Sequence, residues 1–380
     1  MLLPPLRCLF AILLPVMLSY SAANAQPQNP PNNRLLIGAV LSVSSHQGGA
    51  GVSFARGASA AVKAANAAGG LNGRSVSLQV ENDEGSSATA AELTAELAKS
   101  GALAVLGGSG EAAVGSMAAT AKRTRLALVG GLSCSPQQRI ALSDVLVTAR
   151  LPDSETSKAV ARNLGDLNRR RVVVLSERDL ASVARAQVYL KALQSLGGFE
   201  LKHVKIGEQA VEGASALPEI VEFRPTAVLL LVGYEATADL IKKSRLASHA
   251  FHYYVTSDIG TASLKDLLGN GVKGVTLLST TPIASDSKSA IVRQFRVDMS
   301  AHAAGATMDE LALEGYMSAR LVLDAIRRSG RSPSSDQVRR VLMSEPTVLG
   351  EITFRQTSVG TTLNIQPELA IFSADGRLLY

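Results

Sequence analysis

Apolar residues along this chain fall into short runs separated by segments with helical spacing. Leu35-Leu36-Ile37-Gly38-Ala39-Val40-Leu41 is short and branched enough to form a buried strand. A polar, Gly-rich loop follows over 42–51. Phe54, Ala58, Ala61, Val62 and Ala65 then recur at helical spacing, giving one narrow apolar face suited to packing on a sheet. Gly69-Gly70 supplies the left-handed conformation that ends a helix, and Asn72-Gly73 is a turn signal. Val76, Leu78 and Val80 alternate with polar residues as the next strand. The product is one β-loop-α-turn-β unit. Its loop lies at the carboxyl end of the first strand, the edge at which open α/β sheets bind ligands.

The same alternation continues, the pattern of parallel sheets covered by helices on both faces. Further strands are expected near Leu103–Leu106, Leu126–Val129 and Val145–Thr148, with helices centred on Ala60, Thr94 and Ala118. Arg150-Leu151-Pro152-Asp153-Ser154 reads as a crossing into a second series. There strands are expected near Arg171–Leu175, Leu201–Ile206, Ala227–Val232, Tyr253–Thr256 and Gly274–Leu278, with helices centred on Ala161, Tyr189, Glu219, Leu240 and Leu264. Thr280-Thr281-Pro282-Ile283 reads as a second crossing. Helical segments near Ile291–Ala301, Leu311–Ile326 and Asp336–Leu342 precede terminal strands near Ile352–Phe354 and Leu369–Phe372. Propensity gives two α/β lobes and leaves open which lobe the last hundred residues join.

The first 25 residues change the picture. Arg7 is their only charge, an apolar run extends from Leu9 to Leu18, and Ala23-Asn24-Ala25 is an A-x-A cleavage site, which together read as a secretory signal. Pro4, Pro5 and Pro15 argue against a buried N-terminal helix, and 26–34 reads as a Pro/Asn-rich linker. No later apolar run reaches the ~18 residues of a membrane span, so the mature chain is not expected to insert in a membrane. Cys8 lies in the leader and is a poor lipid-attachment site, which leaves Cys134 alone and excludes an internal disulfide. A soluble periplasmic protein is expected. Losing Arg7 with the leader lowers the net charge only from +6 to +5, and its one dense cluster, Arg169-Arg170-Arg171, precedes a strand. The chain has no Trp and no basic stripe interleaved with aromatics, so nucleic acid is not an expected partner.

Candidate chemistry concentrates in loops after strands. Gly108-Ser109-Gly110-Glu111-Ala112-Ala113 satisfies the G-x-G-x-x-A dinucleotide pattern, but the next strand ends Leu128-Val129-Gly130-Gly131 without the acidic partner, and the motif sits in the third unit rather than the first. The same physics suits a smaller anion: free N–H groups at a helix N-terminus, with the Ser109 hydroxyl, hold a carboxylate. Ser109 is not in a nucleophile elbow, because Glu111 stands where glycine is required. His249-x-x-His252 lacks a third metal ligand and Cys134 lacks a paired base. No enzyme, cofactor or metal site is expected.

The first strand, the Ser/Gly loop, the Ala-rich helix, "NAAGGLNGR" at 66–74 and a strand ending in "ENDE" resemble the start of periplasmic solute-binding proteins typified by the leucine/isoleucine/valine-binding proteins of ABC transporters. The resemblance is sharpest over 35–136, and the element order agrees to the C-terminus. It implies a type I periplasmic-binding fold: α/β, two Rossmann-like lobes with mainly parallel sheets, joined by a three-segment hinge. The implied lobes are 35–149 plus 284–345 and 152–280 plus 348–380, with the third crossing at Glu345-Pro346-Thr347. It also implies a cleft site. In the first lobe this comprises Ser44, Ser109, Gly110, Leu132 by its backbone, Ser133 and Cys134, the last where the family has Thr. In the second lobe Tyr234 matches the family's "G-G-Y", and Asp258 falls within one residue of the acidic group that pairs with a ligand ammonium. Asp258 reads equally as a residue of a helix N-cap region. The first loop has no aromatic clamp, and Ser176-Glu177-Arg178-Asp179-Leu180-Ala181 replaces an aromatic-Gly pair. The ligand is therefore left open among an amino acid, a carboxylate without an amine and another small polar metabolite. The expected role is capture of that ligand for an ABC permease by hinge closure, with a periplasmic sensor on the same fold as the alternative.

Overall fold

The computed structural model describes residues 34–43, 48–132, 135–208 and 210–380. The expected leader, and Ser44, Ser133 and Cys134 of the expected site, lie outside them. The first series runs β1 (Arg34–Leu41), α1 (Gly48–Ala67), β2 (Ser75–Asn82), α2 (Ser87–Lys99), β3 (Val105–Gly107), α3 (Glu111–Thr124), β4 (Leu128–Gly130), α4 (Pro136–Ala141) and β5 (Leu146–Val147). Its strands pair in parallel in the order β2-β1-β3-β4-β5. Along the edge strand β2, Val76 is buried in the first-lobe core while Val80, nearer the carboxyl end, is exposed.

The turn that links α1 to β2 is structural. Asn66 uses its side-chain amide as a peptide, donating to Val76 O and accepting from Val76 N, both at 2.8 Å. Gly70 has φ +77°, and a Cβ there would stand 2.2 Å from Arg74 O, so glycine is required.

The second series is α5 (Asp153–Asp166), β6 (Arg171–Glu177), α6 (Leu180–Leu196), β7 (Glu200–Ile206), α7 (Leu217–Phe223), β8 (Ala227–Leu231), α8 (Tyr234–Leu246), β9 (His252–Thr256), α9 (Thr261–Leu268) and β10 (Thr276–Ser279). The chain then returns to the first sheet through α10 (Ala290–His302), α11 (Glu310–Arg328) and α12 (Ser335–Ser344). Phe295, Met299, Leu311, Tyr316 and Val338 share one core with Ile37, Leu41 and Phe54. Helices α1 and α11 meet backbone to backbone. A Cβ on Gly57 would stand 1.7 Å from Ala312 O, and one on Gly315 2.0 Å from Phe54 O, so two glycines make this contact possible.

The terminal segments depart from expectation. β11 (Thr347–Leu349), β12 (Ile352–Thr357) and β13 (Gly360–Leu363) form a separate three-stranded antiparallel sheet. Leu349, Ile352 and Phe354 bury themselves in the first-lobe core beside α11 and α12. Only β14 (Glu368–Phe372) and β15 (Leu378–Leu379) join the second sheet, ordered β15-β14-β10-β9-β8-β6-β7, with β14 antiparallel to β10. The third crossing therefore lies between Leu363 and Glu368, not at 345–347, and 348–363 belong with the first lobe. The reason is apolar burial: Ile352 and Phe354 complete a core already built by α10 to α12.

Candidate functional site

Helix α1 starts after the carboxyl end of β1, and α9 starts after that of β9. A Cβ on Gly49 would lie 2.7 Å from Ser263 Oγ, so the carboxyl edges of the two sheets face each other. In the first lobe, β3 ends in Gly107 and Gly108 follows it, at φ +102° and +90°. A Cβ on Gly107 would lie 2.5 Å from Val40 O, so glycine lets the β3 loop turn tightly over β1. This turn places Ser109 beside β1, where its Oγ accepts a long hydrogen bond from Ser42 N (3.4 Å). Gly110 is the N-cap of α3, and it provides no side chain to occupy the first-turn amides. Glu111 stands at the start of the same helix, where its carboxylate accepts from Ser135 Oγ. The amide of Leu132 donates to Gly108 O (2.9 Å), so that N–H joins the β3 and β4 loops and is not free to hold a ligand.

In the second lobe, Tyr234 opens α8 directly after β8 and is half-buried. Burial, with Glu235 adding to it, raises its phenol above the ordinary value. Asp258 lies in a short 3-10 turn after β9. It is not presented as a bare carboxylate. Its Oδ2 meets Arg185 Nη2 at 2.9 Å and Arg150 Nη1 at 3.3 Å, and its side chain is 9% exposed. Burial opposes the charge, but Arg185 and Arg150 outweigh it and hold the carboxyl below its usual range.

These arginines belong to a larger network that spans the lobes. Arg150, in the first crossing, donates from Nε to Glu314 Oε1 (2.8 Å) and from Nη2 to Oε2, a bidentate pair reaching α11. Arg185, on α6, also meets Asp153 Oδ1 (3.2 Å), which accepts in turn from the Tyr189 hydroxyl (3.0 Å). One turn earlier on α11, Glu310 Oε2 accepts from Thr261 Oγ1 of α9 (2.6 Å), a direct hydrogen bond between lobes. The backbone amide of Leu151 donates to Thr280 O (2.7 Å), which ties the first crossing to the second. Burial raises the carboxyls of both Glu310 and Glu314, with Asp309 reinforcing the rise at Glu310 and Arg150 opposing it at Glu314.

The structure thus brings Ser109, Gly110 and Leu132 to one sheet edge and Tyr234 and Asp258 to the edge opposite. The sequence reading missed Arg150, Arg185, Glu310 and Glu314. A signal existed for the last two: they are carboxylates spaced four apart within the apolar start of α11. Their partners come from three distant segments and left no mark in the local pattern. His249 and Phe251 stack at 5.7 Å on an open groove of about 440 Å³ at the start of β9, the end of the strand away from the facing edges. Among the described residues, no three His, Cys, Asp or Glu side chains cluster to hold a metal, and no helix is long and apolar enough to cross a membrane.

Two Rossmann-like α/β lobes thus face each other across the chain crossings. A family profile described as periplasmic binding protein matches residues 35–364, and the chain belongs to that family. Its fold is the type I form shared with leucine/isoleucine/valine-binding proteins. An extracellular ligand-binding receptor from Verminephrobacter eiseniae superposes with a TM-score of 0.83 at 21% identity, covering 91% of this chain and 100% of that one. A leucine binding protein from Thermotoga maritima gives 0.78 at 18%, covering 90% and 97%. The solute-binding protein of an R. palustris ABC transporter, in complex with benzoate, gives 0.77 at 18%, covering 91% and 95%. No curated protein matches the chain.

Proposed function

We propose that this chain is the periplasmic substrate-binding component of an ABC transporter, closing its two lobes on a small carboxylate ligand and presenting it to a membrane permease. The observation that carries this reading is the facing of two carboxyl sheet edges across a hinge crossed by the chain three times. A ligand that touches both edges is worth more when the lobes are closed, so it shifts the population toward closure. Ser109 and the first-turn amides of α3 are the anion-holding groups of the first lobe, Tyr234 supplies the wall opposite, and Ser44, Ser133 and Cys134, which lie outside the described residues, are included on the family resemblance. Solved structures of this fold include an isoleucine complex from Streptococcus pneumoniae and the benzoate complex, so the fold leaves amino acids and simple carboxylates both open as ligands. No observation favours the sensing role over transport.

The test is native mass spectrometry of the exported protein, followed by small-angle scattering with and without the molecule that co-purifies. The expected result is a bound small molecule and a smaller radius of gyration when it is present. A protein that carries no small molecule and shows no closure with any candidate overturns the receptor reading.

A further inference from the structure

Helix α11 carries two buried acids one turn apart, and their surroundings differ. Glu314 holds Arg150 in a bidentate pair. Glu310, 4% exposed, takes part in no ion pair among the described residues. Its Oε2 accepts from Thr261 Oγ1 of α9 at 2.6 Å, and its Oε1 from the Ala284 amide of the second crossing at 3.4 Å. Thr261 is itself buried, and a Cβ on the neighbouring Gly260 would lie 3.7 Å from Leu311 Cδ1. The start of α9 is thus seated on the start of α11, and the second lobe helps to remove Glu310 from water. The charged groups around Glu310 repel it or are engaged elsewhere. Asp309, next to it in the chain, opposes its charge, and Arg56 of α1 acts on Asp309. Arg150 is shared between Glu314 and Asp258. An enclosed carboxyl without a cation is unfavourable as an anion and far less so as the neutral acid. Burial, reinforced by Asp309, accordingly raises the Glu310 carboxyl against the opposing pull of the Thr261 bond.

Resting on the receptor reading above, we infer that Thr261 and Glu310 latch the closed lobes and that closing takes up a proton at Glu310, so the receptor closes more readily as its surroundings acidify. The two are positioning residues: they touch each other across the lobes and act on the ligand only through closure. Parting the lobes lifts Thr261 and Gly260 off α11 and returns Glu310 to water, where a carboxyl ionises in its ordinary range. The closed form therefore binds the proton more tightly than the open one. Acid favours closure, and rising pH favours opening and release of the ligand.

The test is small-angle scattering on the full mature chain, stripped of bound ligand, at pH 8, 7, 6 and 5 in carboxylate-free buffers, with circular dichroism at each pH to follow the fold. The parent should become more compact toward pH 5. Its closed-to-open ratio should change by at most about tenfold per pH unit, the limit set by one proton. Glu310→Gln is uncharged and keeps an acceptor for Thr261, so it should show the parent's pH 5 radius of gyration at every pH. Thr261→Val loses the donor and should be more open than the parent at pH 5. A parent with the same radius at pH 8 and pH 5 overturns the inference. So does a Glu310→Gln variant that keeps the parent's pH profile, or a Thr261→Val variant as compact as the parent. Closure on the co-purified molecule in a chain whose radius ignores pH strikes the latch alone; absence of any small molecule and of closure with any candidate strikes the receptor reading instead.

Discussion

Replacing Arg150 by leucine removes the cation that joins the first crossing to both lobes. Glu314, buried on α11 at 1% side-chain exposure, would lose its bidentate partner, and of its two guanidinium partners Asp258 would keep Arg185. Breaking a buried pair from one side leaves an uncompensated charge and costs about 3–5 kcal/mol, a large share of the ~5–15 kcal/mol that holds a typical domain. Glu314 sets the pH dependence. Its folded value already lies above that of an ordinary carboxyl, chiefly through burial, and loss of Arg150 raises it further. A carboxyl whose folded value exceeds its unfolded one leaves stability intact below the unfolded value and erodes it as pH rises toward the folded one. The deficit of Arg150→Leu should therefore be greatest at pH 7 and shrink toward pH 5. The double variant Arg150→Leu with Glu314→Leu replaces the pair by apolar groups and should recover most of the loss, since such exchanges are often neutral. Urea unfolding at both pH values measures all three quantities. A single variant within about 0.5 kcal/mol of the parent at pH 7, or a double variant no better than the single, refutes the reasoning.

Three further outcomes are expected. Gly57→Ala should lower the melting temperature, because overpacking against Ala312 O costs about 1–3 kcal/mol and exceeds the ~1 kcal/mol that alanine gains in an open helix; a rise in Tm counts against backbone contact between α1 and α11. Glu310→Gln keeps an acceptor for Thr261 while removing a carboxyl that burial holds above its usual value. Its stability relative to the parent should improve as pH rises from 4.5 toward 7, and a pH-independent difference in unfolding midpoint would tell against the assignment. Ser109→Ala should weaken binding of the co-purified ligand by roughly ten- to more than a hundredfold, the loss of one hydrogen bond to a charged group worth roughly 1.5–3 kcal/mol, while Cys134→Thr should bind equally or more tightly because a hydroxyl is the stronger donor; unchanged calorimetric affinity in Ser109→Ala moves the anion site elsewhere.

What the sequence by itself determined was local. The periodicity of Phe54, Ala58, Ala61 and Val62 names the buried face of α1, because a helix must turn the same side chains inward every three or four residues. The run Leu35–Leu41 and its counterparts gave the strands, and Gly70 and Asn72 marked the turn whose positive φ values the structure carries. Periodicity is a property of neighbours in the chain, so it says which face is apolar and not what covers it. That is why periodicity leaves the lobe of 348–363 open, and the placement in the second lobe that the family resemblance implies differs from the structure: Ile352 and Phe354 read as strand residues in either setting, and only the core offered by α10 to α12 decides between them. The same limit explains Asp258. Its position after a strand was legible, but its charge state depends on Arg150 and Arg185, 108 and 73 residues earlier in the chain. Whether a carboxylate greets an amine or is already neutralised is settled by electrostatics at 3 Å, and only the tertiary fold brings those groups together.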